Sequence, residues 1–240
     1  MNRFVFSVLT FVLCAVVPAV TQSQVLTMDD EPHYSRIFSN EYCRAYVVNL
    51  GRLAETKPVV HEHDWVRMTL GGAVEQAWNG TVFGRAPYED PDGYVVSFLY
   101  PVSRVTIRNP RNEPYSALIV EIMQEDDSRN QWRDPSFNPL SQTLGSGVDS
   151  HASYVTTLTK TSVEIMNVQL VGGDAKEFGP MGRGGLLVAM TDLNMSYSEG
   201  NGATKDLQLS KGEVKWLSVG RRTFKNLAAQ PARFVLLEMR

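Results

Sequence analysis

His61 and His63 are the residues of this 240-residue chain best suited to chemistry. On a β-strand, positions two apart face the same side, so both imidazoles can point into one interior and reach one divalent metal. Iron, manganese or zinc would suit such donors. The alternative is a pair of exposed histidines at a strand end. Asp64 adjoins His63 and would face the opposite side on a continuing strand. It ligates only where the chain turns sharply, and is otherwise a turn residue. Two ligands do not make a tight site, because catalytic metals usually keep three from the protein. Other reactive groups point elsewhere. Cys43, in the strand-like run CRAYVVNL, has no obvious histidine partner and reads as a buried, inert thiol. Trp65, Trp78 and Trp216 read either as core or as a stacking surface for a sugar ring.

The elements that must position these residues are strands. Runs such as CRAYVVNL, YVVSFLY, ALIVEIM, TSVEIMNVQLV and RFVLLEM are short, rich in β-branched and aromatic residues, and separated by Gly, Asn, Asp and Pro. No long helical period appears, so antiparallel pairing in small sandwiches or barrels follows. A composition of 43% hydrophobic residues with net charge −3 supports a folded core and gives no basic footprint for nucleic acid. Residues 1–23 run from Arg3 through an apolar stretch to small and polar residues, the order of a secretory signal peptide. Its roughly 14 apolar residues fall short of a membrane span. Export to a secreted or periplasmic location is expected, with no membrane attachment after removal of the signal. Cys43 is then the sole cysteine, which excludes an intrachain disulfide.

The chain contains its own copy. Arg108, Asn109, Pro114 and Glu121 match Lys225, Asn226, Pro231 and Glu238, each 117 positions later, and Leu50 matches Leu170. Two related domains are predicted, 31–125 and 151–240, joined by a polar linker or surface loop over 126–150. A 120-residue offset puts Met181 and Arg183 at the places of His61 and His63. Two arginines aimed into one pocket would suit a carboxylate or phosphate. Arg183 and Arg222 are therefore candidates for an anion clamp in the second barrel, against the alternative that each pairs with a neighbouring acid or faces solvent.

The segment VVHEHDWVRMTLGG resembles the opening motif of the cupins, and LSKGEVKWLSVGRRTFKN resembles their closing motif. His61, His63, Asp64 and Gly71 fill the first pattern, without the residues usually found between the second histidine and the acid. Gly212, Glu213, Gly220 and Asn226 fill the second. The resemblance implies an all-β chain of two tandem jelly-roll barrels. It also implies a third histidine four residues before Asn109, where Val105 stands, and, in the second half, four before Asn226, where Arg222 stands. His33, Glu75 or the acidic loop GRAPYEDPDG could replace the missing ligand. The expected function is binding of a small polar or anionic molecule, with a partial divalent-metal site in the first barrel. A metal-dependent enzyme of oxygenase, isomerase or decarboxylase type and a purely structural protein are the alternatives, and exposed sheet edges or faces leave room for a homodimer.

Overall fold

The computed structural model describes residues 25–78, 84–85, 95–99, 101–124, 142–144, 152–200 and 202–240. The expected signal peptide, most of the connecting stretch and most of the acidic loop lie outside them. Everything regular among the described residues is β. The first half holds β1 (Tyr34–Ser39), β2 (Cys43–Leu50), β3 (Val59–His61), β4 (Asp64–Gly71), β5 (Glu75–Trp78), β6 (Gly84–Arg85), β7 (Val95–Leu99), β8 (Val102–Arg108) and β9 (Tyr115–Ile122). A short β10 (Gln142–Leu144) follows. The second half holds β11 (Tyr154–Thr159), β12 (Val163–Leu170), β13 (Ala175–Met181), β14 (Gly185–Ala189) and β15 (Leu193–Glu199). It ends with β16 (Lys205–Leu209), β17 (Val214–Leu217), β18 (Gly220–Asn226) and β19 (Ala232–Met239).

Each half folds two sheets. In the first they run β1-β2-β9-β4-β7-β10 and β3-β8-β5-β6; in the second, β11-β12-β19-β14-β17 and β13-β18-β15-β16. The orders coincide strand for strand, apart from the added β10, which pairs with β7 from within the stretch expected to connect the halves. Registers repeat too: Cys43 lies opposite Ile122 as Val163 lies opposite Met239, and Leu50 opposite Tyr115 as Leu170 opposite Ala232. The chain is a duplicated jelly roll.

The repeated asparagines explain part of that repetition. Asn109 Nδ2 donates to the carbonyls of Gly51 (3.0 Å) and Glu113 (2.8 Å), and its Oδ1 accepts from the Arg111 amide at 2.9 Å. Asn226 Nδ2 donates to Leu170 (2.9 Å) and Gln230 (2.8 Å), and its Oδ1 accepts from Ala228 at 2.9 Å. A buried amide with partners for both ends can close a turn that backbone groups alone cannot satisfy. Each asparagine ties the turn before the last strand of its half to the end of β2 or β12.

β4 is buried along nearly its whole length because both of its faces are covered. Trp65, Arg67 and Thr69 alternate with Val66, Met68 and Leu70, as the two-residue period requires. Trp65 belongs to the core inside the first barrel. Val66, Met68 and Leu70 join Leu118, Val120 and Ile122 in a core that continues into the second half through Val163, Leu186, Val188 and Leu237. The larger sheets thus pack face to face, and the smaller sheets close each barrel from outside. Trp216 stacks with Phe38 (centroids 5.9 Å apart) and Tyr42 (5.7 Å) across this seam. Cys43 lies fully buried in it, its thiol pushed up to about 12 by desolvation, as an inert thiol would be.

Candidate functional site

The two histidines part company. His61 ends β3 and is 1% exposed inside the first barrel, its ring stacked on Trp65 at 4.0 Å. Neither ring nitrogen has a hydrogen-bond partner, and desolvation lowers its pKa to about 3. His63 sits on the bend between β3 and β4. The chain leaves one sheet for the other there, so the two-residue period that would align the rings does not apply. His63 instead lines a cleft of about 120 Å³ with Asp29, Arg44, Tyr46, Glu62 and Glu121. Glu121 is lifted to about 7, first by burial and then by Glu62 and Asp29, against Arg44, which lowers it. Asp64 opens β4 and is buried at 4% exposure.

The residues offered as replacement ligands are engaged. His33 Nδ1 lies 2.6 Å from Glu31, and Arg108 bridges Glu75 at 2.5 Å. Val105 lies wholly within the apolar core. Among the described residues no three His, Cys, Asp or Glu side chains converge in a way that could hold a metal. A single inward imidazole is a poor donor set for a divalent cation. The residues present therefore do not fit the metal that the His-x-His spacing suggested.

The anion clamp also needs correction. Arg222 is buried, with Nη2 donating to Glu199 Oε1 (3.3 Å) and Ser218 Oγ (3.0 Å) and Nη1 to the Gly220 carbonyl (3.1 Å). Arg183 is exposed beyond the end of β13, against the Gln124 amide. The turn into β14 carries Arg183 out of the barrel, so the two guanidinium groups do not face one pocket. Phe178, Met181, Met195, Phe224 and Phe234 fill the space between the sheets of this half.

The first barrel is different inside. Arg67 occupies the middle of β4 at 1% exposure, and its Nε and Nη1 have no partner. Ser97 lies directly opposite it on β7, with an unpartnered hydroxyl. The Tyr34 hydroxyl and Gln76 Nε2 are buried and unpartnered, and the Tyr115 hydroxyl, beside Thr69, makes no bond of good geometry. Tyr34 and Tyr115 lie within electrostatic reach of one another and of Arg67; burial raises both phenols and Arg67 opposes it. Gln76 comes from the opposite sheet, paired across the ladder with the inward-facing Ile107. Buried polar groups almost always find partners, so this concentration is the candidate site of the first barrel.

Ladder registers, and the 120-residue offset for His61, give these positions counterparts, with Lys215 standing for Ser97. Leu187 stands for Arg67, Ala189 for Thr69, Ala232 for Tyr115, Val155 for Tyr34, Met181 for His61 and Tyr197 for Gln76. Where the first half sets Arg67, Tyr34, Tyr115 and Thr69, the second thus sets apolar side chains, and its own buried Arg222 is paired with Glu199. Residue spacing alone does not single out Arg67, Tyr34, Tyr115, Gln76 or Ser97. The available signal was an arginine inside the apolar run WVRMTL, set against LLVA in the second copy.

No protein-family profile and no curated protein matches the chain by sequence. Solved structures do match. AerE from Microcystis aeruginosa superposes with a TM-score of 0.59 at 13% identity, covering 88% of this chain and 98% of that one. Oxalate decarboxylase OxdC of Bacillus subtilis gives 0.61 at 9% identity, covering 91% and 78%. A cupin 2 conserved barrel domain protein from Leptotrichia buccalis gives 0.52 at 10% identity, covering 86% and 88%. The chain has the cupin fold. It has it twice, in a two-barrel arrangement in which the cluster of unpartnered polar groups around Arg67 lies in the first barrel.

Proposed function

We propose that the protein is an exported two-barrel cupin that binds a small polar or anionic molecule inside its first barrel, while the second barrel is a structural partner. The observation that carries this reading is the set of unpartnered buried polar atoms on His61, Arg67, Gln76, Ser97 and Tyr34, of which His61, Arg67 and Tyr34 have the apolar counterparts Met181, Leu187 and Val155 in the second barrel. A bound polar ligand would supply the missing hydrogen bonds, and leaving such groups unmade costs about 1–3 kcal/mol each. A structural protein gains nothing by keeping them. The metal-dependent reading loses ground because His61 and His63 do not share a face.

A ligand that binds only the folded chain raises its melting temperature. Thermal-shift measurements of the purified protein against sugars, polyols, amino acids and organic acids should give a saturable rise with at least one class. Gln76→Leu should weaken that rise. A flat response to every class would overturn the reading. Elemental analysis after purification without chelator should find no stoichiometric iron, manganese or zinc.

A further inference from the structure

We infer that the ligand of the first barrel carries a carboxylate and that Arg67 is the residue that holds it. This deepens the binding reading above and rests on it. A guanidinium stays protonated at any ordinary pH, so β4 places a permanent positive charge inside the barrel. Among the described residues no carboxylate lies within ion-pair distance of it. Glu31, a buried acid that acts on the Tyr34 phenol, accepts from the Lys57 amide at 3.2 Å and lies 2.6 Å from His33 Nδ1. Glu121 faces the cleft shared with Arg44 and His63. What surrounds Arg67 is neutral: the Tyr34 and Tyr115 phenols and the Ser97 hydroxyl opposite. A fixed cation ringed by hydroxyl donors is the complement of an oxyanion.

The second barrel supplies two internal controls. Arg222 is equally buried, and there the fold provides Glu199, Ser218 and the Gly220 carbonyl as partners. Only its Nε lacks a partner, so the chain supplies this buried charge with a carboxylate of its own, which no described residue does for Arg67. Leu187, at the position of Arg67, shows that the shell does not need an arginine there. A neutral sugar would satisfy the hydroxyls and leave the charge uncompensated. Arg67 and Arg222 are the only buried cationic side chains among the described residues, so the first barrel offers one positive charge. That matches a single carboxylate better than a phosphate, which carries up to two charges.

The test compares acids with their uncharged amides. Calorimetry and thermal shift would use acetate, lactate, malonate, succinate and benzoate against the corresponding amides. At least one acid should bind saturably while its amide does not, and Arg67→Leu should weaken that acid roughly 100-fold, the scale expected for removing one partner of a buried charge pair. Without ligand, the melting temperature of Arg67→Leu should equal or exceed that of the parent. Tyr34→Phe and Ser97→Ala should each weaken the acid several-fold, and they carry the test if Arg67→Leu does not fold. Equal binding of acid and amide, or undiminished acid binding by Arg67→Leu or by both milder variants, would overturn the carboxylate assignment and leave the binding reading standing. A large drop in the unliganded melting temperature of a folded Arg67→Leu would make Arg67 structural and also overturn it. Failure of acids, amides and the neutral panel alike would overturn both.

Discussion

Asn109 and Arg67 are both buried polar side chains, but they answer to different demands. Asn109 spends its whole hydrogen-bonding capacity on its own chain, and Asn226 repeats the pattern. Truncating Asn226 to Ala strands the Leu170 and Gln230 carbonyls and the Ala228 amide; urea unfolding should show a loss of about 2–4 kcal/mol. Glu121 gives a pH-dependent counterpart. Its folded pKa near 7 lies above the ordinary carboxylate value, so between about pH 4.5 and 7 the unfolded chain ionises first and stability falls as pH rises. Glu121→Gln should therefore melt higher than the parent at pH 8 and show no such gain at pH 4. The asparagines were legible in the sequence because duplication preserved both copies. The histidine pair was half legible: His61 does point inward, and His63 fails because a bend intervenes. Arg67 was missed because one arginine in an apolar run has no spacing pattern to announce it.

At the scale of elements, β4 and β14 are among the strands with both faces covered, and the turns beside them have little room. Gly72, just past β4, has φ +79°, and a Cβ there would come 2.6 Å from the Pro114 carbonyl oxygen. Gly184, just before β14, has φ +94°, with the Leu217 carbonyl oxygen at 2.7 Å. Gly182 has no atom within 4 Å of such a Cβ and no positive φ. Gly72→Ala should lower stability by about 1–3 kcal/mol or more, whereas Gly182→Ala should be close to neutral, both measured by thermal or urea unfolding. The strands themselves were readable from β-branched runs and turn residues. Which of their faces met the other barrel was not, because alternation cannot distinguish two apolar environments when both sides of a strand are dry.

For the whole molecule, the seam between the larger sheets joins the halves into one core. Denaturation followed by tryptophan fluorescence and by far-ultraviolet circular dichroism should give one coincident transition, since neither half can unfold without uncovering the other. Val188→Asp, placing a charge in that seam, should lower the transition midpoint sharply and split the two signals. Duplication and all-β class were evident from the sequence, and the offsets even aligned the strands. The division of labour between barrels was not, because it depends on which side chains meet across a closed interior. The seam carries one more implication. A single barrel bearing the face of Val66, Met68 and Val120 could hide it only by finding a second molecule, at a rate and extent set by concentration. With both barrels on one chain, the mate is always at hand, and mutations that empty one interior of its polar groups no longer appear simultaneously in its companion.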